Sequence, residues 1–265
     1  MKRIFWIGTV VILAGCNFQS TPEALPTQIE SVEALATSEF LRENAPPEGF
    51  ETVAYPRIDE TLNDLQGWRY LVTLEFNGTF SNTAQETTAS ARAEVWFNRT
   101  SAARRVVLET SGELIGREEN EQYEAVRLGA DAFLVRDDVC LSNATDDARL
   151  AADLRAGDLV GGVNHAVPTG QRATLNGEEA WEYRFEQVNV NMPAIRLADG
   201  GVMTIESGEL WVAPEHNVPV RFYINLDVEN AIIFDRQSPV TGLVLLRYDL
   251  FDIGQQANIN VPFGC

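Results

Sequence analysis

Trp68-Arg69-Tyr70-Leu71-Val72-Thr73-Leu74-Glu75-Phe76, followed by Asn77-Gly78, is the stretch on which the reading of the fold turns. Trp68, Tyr70, Val72, Leu74 and Phe76 alternate with Arg69, Thr73 and Glu75, and a period of two sends successive side chains to opposite faces of a strand. This is a strand with one buried face. Asn-Gly tolerates positive φ at two consecutive positions, so a hairpin turn is expected at its end. Ala91, Ala93, Val95 and Phe97 repeat the pattern, as do Val106 and Leu108, and the apolar positions around Tyr123 and Ala132–Val135 add further strands. The first half reads as an antiparallel meander.

Either side of the meander the period changes. Ile58, Leu62 and Leu65 recur at helical spacing before Gly67, which predicts a helix feeding the first long strand. Asp146–Leu159 carries Leu150, Leu154 and Leu159 in an alanine-rich filling, with Ser142, Asn143 and Thr145 as caps and Gly161-Gly162 as the stop. After this helix Asn176-Gly177 predicts a turn between Ala173–Leu175 and the alternating Trp181, Tyr183 and Phe185. Leu210–Val212 lead through Pro214-Glu215-His216-Asn217 to Val218, Val220, Phe222, Ile224 and Leu226, and a last strand carries Val244, Leu246, Tyr248 and Leu250. Roughly eight to eleven strands and two or three helices make an α+β fold on one antiparallel sheet.

The N-terminus sets the compartment. Lys2 and Arg3 precede the apolar run Ile4–Leu13, which is too short to span a bilayer and has the form of an export signal. It ends in Leu13-Ala14-Gly15-Cys16, which looks like the lipobox of bacterial lipoproteins, so Cys16 is expected to carry lipid as the first mature residue. The expected organisation is a signal peptide at 1–15, a lipid-anchored tether at 16–57 and a folded domain at 58–265. Pro22, Pro26, Pro46 and Pro47 give the tether its character. Ile29, Val32, Leu35, Ala36 and Phe40 there fit either a short amphipathic helix or a partly ordered tether. With Cys16 acylated, Cys140 and Cys265 remain, and two cysteines in an exported chain pair in only one way.

Charge narrows the function. The 265 residues carry 39 acidic and 20 basic side chains, a net charge of −19. Removing Lys2 and Arg3 with the signal leaves 18 basic side chains against the same 39. Such a field repels phosphate backbones, so nucleic acid is not an expected partner. Lys2 is the only lysine, so the mature chain lacks a phosphate-loop lysine, a Schiff base and a Ser–Lys dyad. His165 and His216 stand apart from any Ser or Cys motif, and Asp137-Asp138, Glu118-Glu119 and Asp146-Asp147 lack the spacing of a calcium loop. No catalytic residue, metal ligand or cofactor is assigned, and the expectation is not an enzyme.

Several stretches taken together resemble one family. Leu62-Asn63-Asp64-Leu65 stands before a strand opening Trp68-Arg69-Tyr70. Leu175-Asn176-Gly177-Glu178-Glu179-Ala180-Trp181-Glu182-Tyr183 forms a turn, and Gly208-Glu209-Leu210-Trp211-Val212 runs through another to Val218-Pro219-Val220-Arg221. With Asp249-Leu250-Phe251-Asp252 leading to Ile259-Asn260-Val261-Pro262, they resemble the LolA/LppX/LprG-like lipoprotein-carrier superfamily over about residues 58–265. The resemblance implies a curved half-barrel closed by helices, with an apolar cavity that accepts acyl chains.

The apolar face expected to line that cavity comprises Val72, Leu74, Phe76, Val95 and Phe97 with Trp181, Tyr183, Phe185, Phe222 and Ile224. Period-two patterning fits ordinary core packing equally well. The leading expectation is a membrane-anchored, extracytoplasmic, monomeric lipoprotein that binds or carries a lipid or other hydrophobic molecule. The alternative is an envelope interaction lipoprotein with a filled core and a protein partner.

Overall fold

The computed structural model describes residues 40, 44–112, 120–141, 143–233 and 238–265, all within one compact unit, Glu39–Cys265. The signal segment, Cys16, most of the tether with Ile29–Ala36, the cap Ser142 and Glu118-Glu119 fall outside the described residues.

Alternation fixes most strands. They are β1 (Val53–Tyr55), β2 (Gly67–Phe80), β3 (Glu86–Asn98), β4 (Ala103–Gly112), β5 (Asn120–Leu128), β6 (Asp131–Arg136) and β7 (Val139–Cys140). Helices α1 (Thr145–Ala152) and α2 (Ala156–Val160) follow. Then come β8 (Gly162–Leu175), β9 (Glu178–Arg184), β10 (Val190–Asn191), β11 (Ile195–Ala213), β12 (Val218–Ile233) and β13 (Val240–Phe251). They form one open antiparallel sheet in the order β1-β8-β9-β11-β12-β13-β2-β3-β4-β5-β6-β7, with β10 also on β8. The architecture is an α+β half-barrel whose edges are the short strands β1 and β7. Short edges leave little free backbone to recruit another chain.

The thirteen strands among the described residues exceed the expected number because β1, β7 and β10 have two or three residues each, too few to show a period. Strand β1 also lies in the stretch assigned to the tether. Residues 44–57 belong to the folded unit, with the Phe50 carbonyl accepting a hydrogen bond from Tyr183 Oη at 2.8 Å.

Asn77-Gly78 is not a turn. Both residues lie inside β2, which continues to Phe80 and turns through Ser81–Gln85, where the Ala84 N–H reaches the Phe80 carbonyl at 2.8 Å. A Cβ on Gly78 would stand 2.1 Å from the Thr241 carbonyl oxygen, so this glycine admits the close approach of β13. Asn176-Gly177 does turn, with φ of +55° and +96°, both left-handed as a two-residue hairpin requires.

The expected helix at Ile58–Leu65 shrinks to a single 3-10 turn, Leu62–Asp64. Ile58 and Leu62 are buried, and the Leu62 carbonyl accepts the Trp68 indole N–H at 3.0 Å, so tertiary bonds replace a continued helical ladder. The single helix expected over Asp146–Leu159 is two, α1 and α2. Between them the Leu154 carbonyl turns to the sheet and accepts bonds from Tyr70 Oη, at 3.0 Å, and from the buried Arg104 guanidinium. The α1 N-cap is Ala144, without a side-chain bond, and Thr145 is already helical.

The C-terminus crosses one end of the meander. The Gly254 N–H bonds to the Gly67 carbonyl at 2.8 Å, Asn98 Nδ2 bonds to the Ala257 carbonyl at 2.9 Å, and Cys265 reaches β7 in a disulfide with Cys140. The chain's last residue is thus tied to the sheet's far edge, closing a loop with a sequence separation of 125. Cys140→Ala with Cys265→Ala should lower unfolding free energy by up to about 4–5 kcal/mol, the chain-entropy figure for so long a loop. Urea unfolding of both proteins without reductant checks this, and equal midpoints would refute it.

Candidate functional site

Strand register decides which side chains share a face. Tyr183 pairs with Leu210, Leu210 with Phe222, Phe222 with Tyr248 and Tyr248 with Val72. The row continues through Ala93, Leu108 and Tyr123 to Arg136. Ile224 joins the next row through Leu246 and Leu74, Val95 pairs with Tyr70, and Phe97 pairs with Trp68. Seven of the ten residues of the expected cavity therefore lie along one inner face, Phe76 and Trp181 join it by alternation within β2 and β9, and Phe185 follows just past the end of β9. Eight of the ten are buried in a single apolar cluster, and Phe97 and Phe185 are half-buried against it. Aromatic contacts fill that region: Phe97 stacks on Trp68 at 5.3 Å and Phe185 meets Phe222 at 5.7 Å between centroids.

The inner face opens further along the same rows. Helix α1 packs against β4, β5 and β6 through Ala148 and Ala152, both fully buried. This packing through small residues leaves Leu150, on the same helix, 78% exposed. Beside it runs a groove of about 500 Å³ whose apolar lining includes Tyr123, Leu134, Leu141, Leu150 and Leu154. Its volume falls within the usual range of small-molecule sites. Its polar lining is Glu121, Gln122, Arg136, Asp147, Asp153 and Asp158. Asp153 is paired with Arg127 at 2.5 Å and Asp158 with Arg57 at 2.6 Å, ion pairs whose exposure limits their worth.

Sequence reasoning placed Tyr123 and Leu134 on strands and Leu150 and Leu154 on a helix without assigning them to a site. A signal was present: Ala148 and Ala152 are four apart, and an alanine stripe permits close helix packing that turns a neighbouring leucine outward.

Among the described residues, His165 is exposed on β8, while Glu178, Glu215 and His216 stand together at a pair of hairpin turns. Asp137 and Asp138 form the tight turn between β6 and β7, with φ of +49° and +62°. No helix among the described residues is long and apolar enough to cross a membrane.

The class defined here is an open half-barrel with a helix-walled apolar groove. No family model and no curated protein matches the chain. Solved structures similar to it include LprF from Mycobacterium bovis, at 11% identity and a TM-score of 0.31, covering 87% of this chain and 97% of that one. A LolA superfamily protein from Nitrosomonas europaea has 12% identity and a TM-score of 0.22, covering 77% and 95%. A putative outer membrane lipoprotein-sorting protein domain from Vibrio parahaemolyticus has 9% identity and a TM-score of 0.21, covering 85% and 93%. These likenesses carry no functional argument, and the architecture stands on the strand pairing above.

All six tyrosines hold their protons more tightly than usual. Burial, the first cause in each, disfavours the charged phenolate and pushes Tyr123 in the groove, Tyr183 and Tyr223 up to about 12. A folded-state value above the unfolded one gives stability that is complete below the ordinary phenol value of 10.0 and lost as pH rises toward 12. Absorbance titration at alkaline pH should therefore show tyrosinate appearing late and together with loss of the folded signal. A normal titration of several tyrosines in the folded protein would contradict this burial pattern.

Proposed function

We propose that this chain is a membrane-anchored extracytoplasmic lipoprotein, acylated at Cys16, that binds or carries a lipid or other hydrophobic molecule. The observation that carries the reading is the groove between α1–α2 and β5–β6, where a helical leucine stays exposed beside a half-buried apolar floor. Each methylene that a ligand buries there gains about 0.8 kcal/mol, so an acyl chain needs on the order of ten buried carbons to offer the roughly 8 kcal/mol of a micromolar site without covalent chemistry. The reading assigns no catalytic residue, no cofactor and no nucleic-acid partner, and treats the protein as a monomer. None of the ten inner-face residues from Val72 to Ile224 lines the groove, and their tight packing means that the ligand need not enter the core. That same packing favours the second reading, an envelope interaction lipoprotein, if the groove proves empty.

Native mass spectrometry with organic extraction of a secreted Cys16→Ser protein tests the reading, together with titration of a fluorescent fatty acid. A co-purifying lipid or saturable probe binding is expected. Leu150→Asp should weaken probe binding about tenfold or more while leaving the melting temperature nearly unchanged, since burying a leucine is worth about 1.5–3 kcal/mol and this one is exposed. An empty protein that takes up no probe would overturn the ligand reading and leave the interaction protein.

A further inference from the structure

Two hairpins end side by side. Because β9 pairs with β11 through Trp181 and Val212, the turn before β9 lies next to the turn between β11 and β12. Glu178 from the first turn meets Glu215 and His216 from the second, with one donor atom from each residue within 4.8 Å of the others. His216 Nε2 stands 3.4 Å from Glu178 Oε2. From this arrangement we infer a divalent-cation site, best suited to zinc, remote from the groove on β5–β6.

The distances suit the ion. Tetrahedral zinc holds oxygen and nitrogen donors at about 2.0–2.2 Å, which sets neighbouring donors roughly 3.3–3.6 Å apart. The His216–Glu178 pair already has that spacing. Glu215 is exposed, so its side chain is the one that swings in to complete the set. Neutral imidazole with two carboxylates supplies three protein ligands and leaves a fourth position to water. That combination favours zinc over calcium and magnesium, which prefer all-oxygen shells.

The backbone beneath the donors is held independently of any ion. Asn217, at φ +52°, ends the second turn and accepts a hydrogen bond from the largely buried Tyr55 Oη at 2.9 Å. The His216 N–H bonds back to the Ala213 carbonyl at 3.3 Å. In the first turn Asn176 Nδ2 reaches across to the Val220 carbonyl at 3.2 Å, tying the two hairpins together next to Glu178. The backbone and the His216–Glu178 pair are thus pre-positioned and lose little freedom on binding, which leaves only the Glu215 side chain to be ordered.

The test uses the tag-free, secreted Cys16→Ser protein, stripped with chelator and titrated with zinc, then with cobalt as a spectroscopic stand-in. The Cys140–Cys265 disulfide leaves no thiol to compete. One zinc per chain is expected by native mass spectrometry after desalting, with cobalt giving the intense visible bands of a four-coordinate site. His216→Ala should abolish retention, Glu215→Gln should weaken it about tenfold or more, and His165→Ala should leave it intact. If His216→Ala alters the circular dichroism, Glu215→Gln decides alone, because its side chain is exposed. Failure of the parent protein to retain zinc, or retention unchanged in both His216→Ala and Glu215→Gln, would overturn the assignment.

Discussion

The pairing of β13 with β2 is the constraint on which the rest depends. Twelve residues of the last long strand, Val240–Phe251, lie opposite Phe80–Arg69 of the first, joining the meander of the N-terminal half to the hairpins of the C-terminal half in one sheet. A slip of one residue at this seam would reverse the faces of the two halves relative to each other, because side chains alternate with a period of two. The register that holds sets Tyr248 beside Val72 and Leu246 beside Leu74, so the apolar rows cross the seam unbroken. Gly78 permits the two backbones to close there, since any Cβ would strike the Thr241 carbonyl.

Buried polar groups at one end of those rows decide where the covering helices break. Arg104 is 8% exposed, an expensive place for a guanidinium without partners. It donates to the Leu154 carbonyl and to Tyr70 Oη, and its charge lies 5.2 Å over the Trp68 ring. Tyr70 Oη donates to the same carbonyl, so the residue between α1 and α2 satisfies two sheet side chains instead of continuing a helix. Buried Asp59 completes the attachment by accepting the Gly157 N–H of α2 at 3.1 Å. These bonds contribute about 1 kcal/mol each if neutral and somewhat more where charged, and leaving any of the groups unpaired would cost more than that. On the opposite face Arg69–Glu94 and Arg221–Asp249 bridge neighbouring strands, where partial exposure limits their worth.

What was legible in the sequence was what depends on period. Trp68–Phe76, Ala91–Phe97 and Val218–Leu226 show their strand period and buried face without help from the rest of the fold, and Asn176-Gly177 shows its turn. Asn77-Gly78 misleads because the same dipeptide that suits a hairpin also suits a place where two backbones come unusually close. Only the partner strand distinguishes the two. The helix at Ile58–Leu65 fails for a related reason: three apolar residues at helical spacing are buried equally well by a turn, and the bond from Trp68 to Leu62 favours the turn. The ten inner-face residues could be grouped from alternation, but the location of the open groove could not. That depended on α1 packing through Ala148 and Ala152, whose spacing of four was a local signal, and on β5 and β6 standing near the end of the rows, which has no signature in local sequence.

The position of the groove follows from how cover is distributed along the inner face. In the row from Tyr183 to Arg136 every residue up to Ala93 is buried, while Leu108, Tyr123 and Arg136 are only half-buried. The sheet stays apolar as far as Tyr123 and Leu134 although its cover thins, and Arg136 ends the row with a charge. A face built only to pack its own core would turn polar where the cover ends. Here Leu150 at 78% and Leu141 at 38% exposure continue the apolar surface onto the helix side and the chain beyond β7. The hydrophobic energy left uncollected on such side chains, roughly 25 cal/mol for each Å² exposed, is available to whatever covers them. Because the surface is a groove bounded by two elements and not a flat patch, whatever covers it must fit between the helices and strands β5 and β6 to reach those side chains.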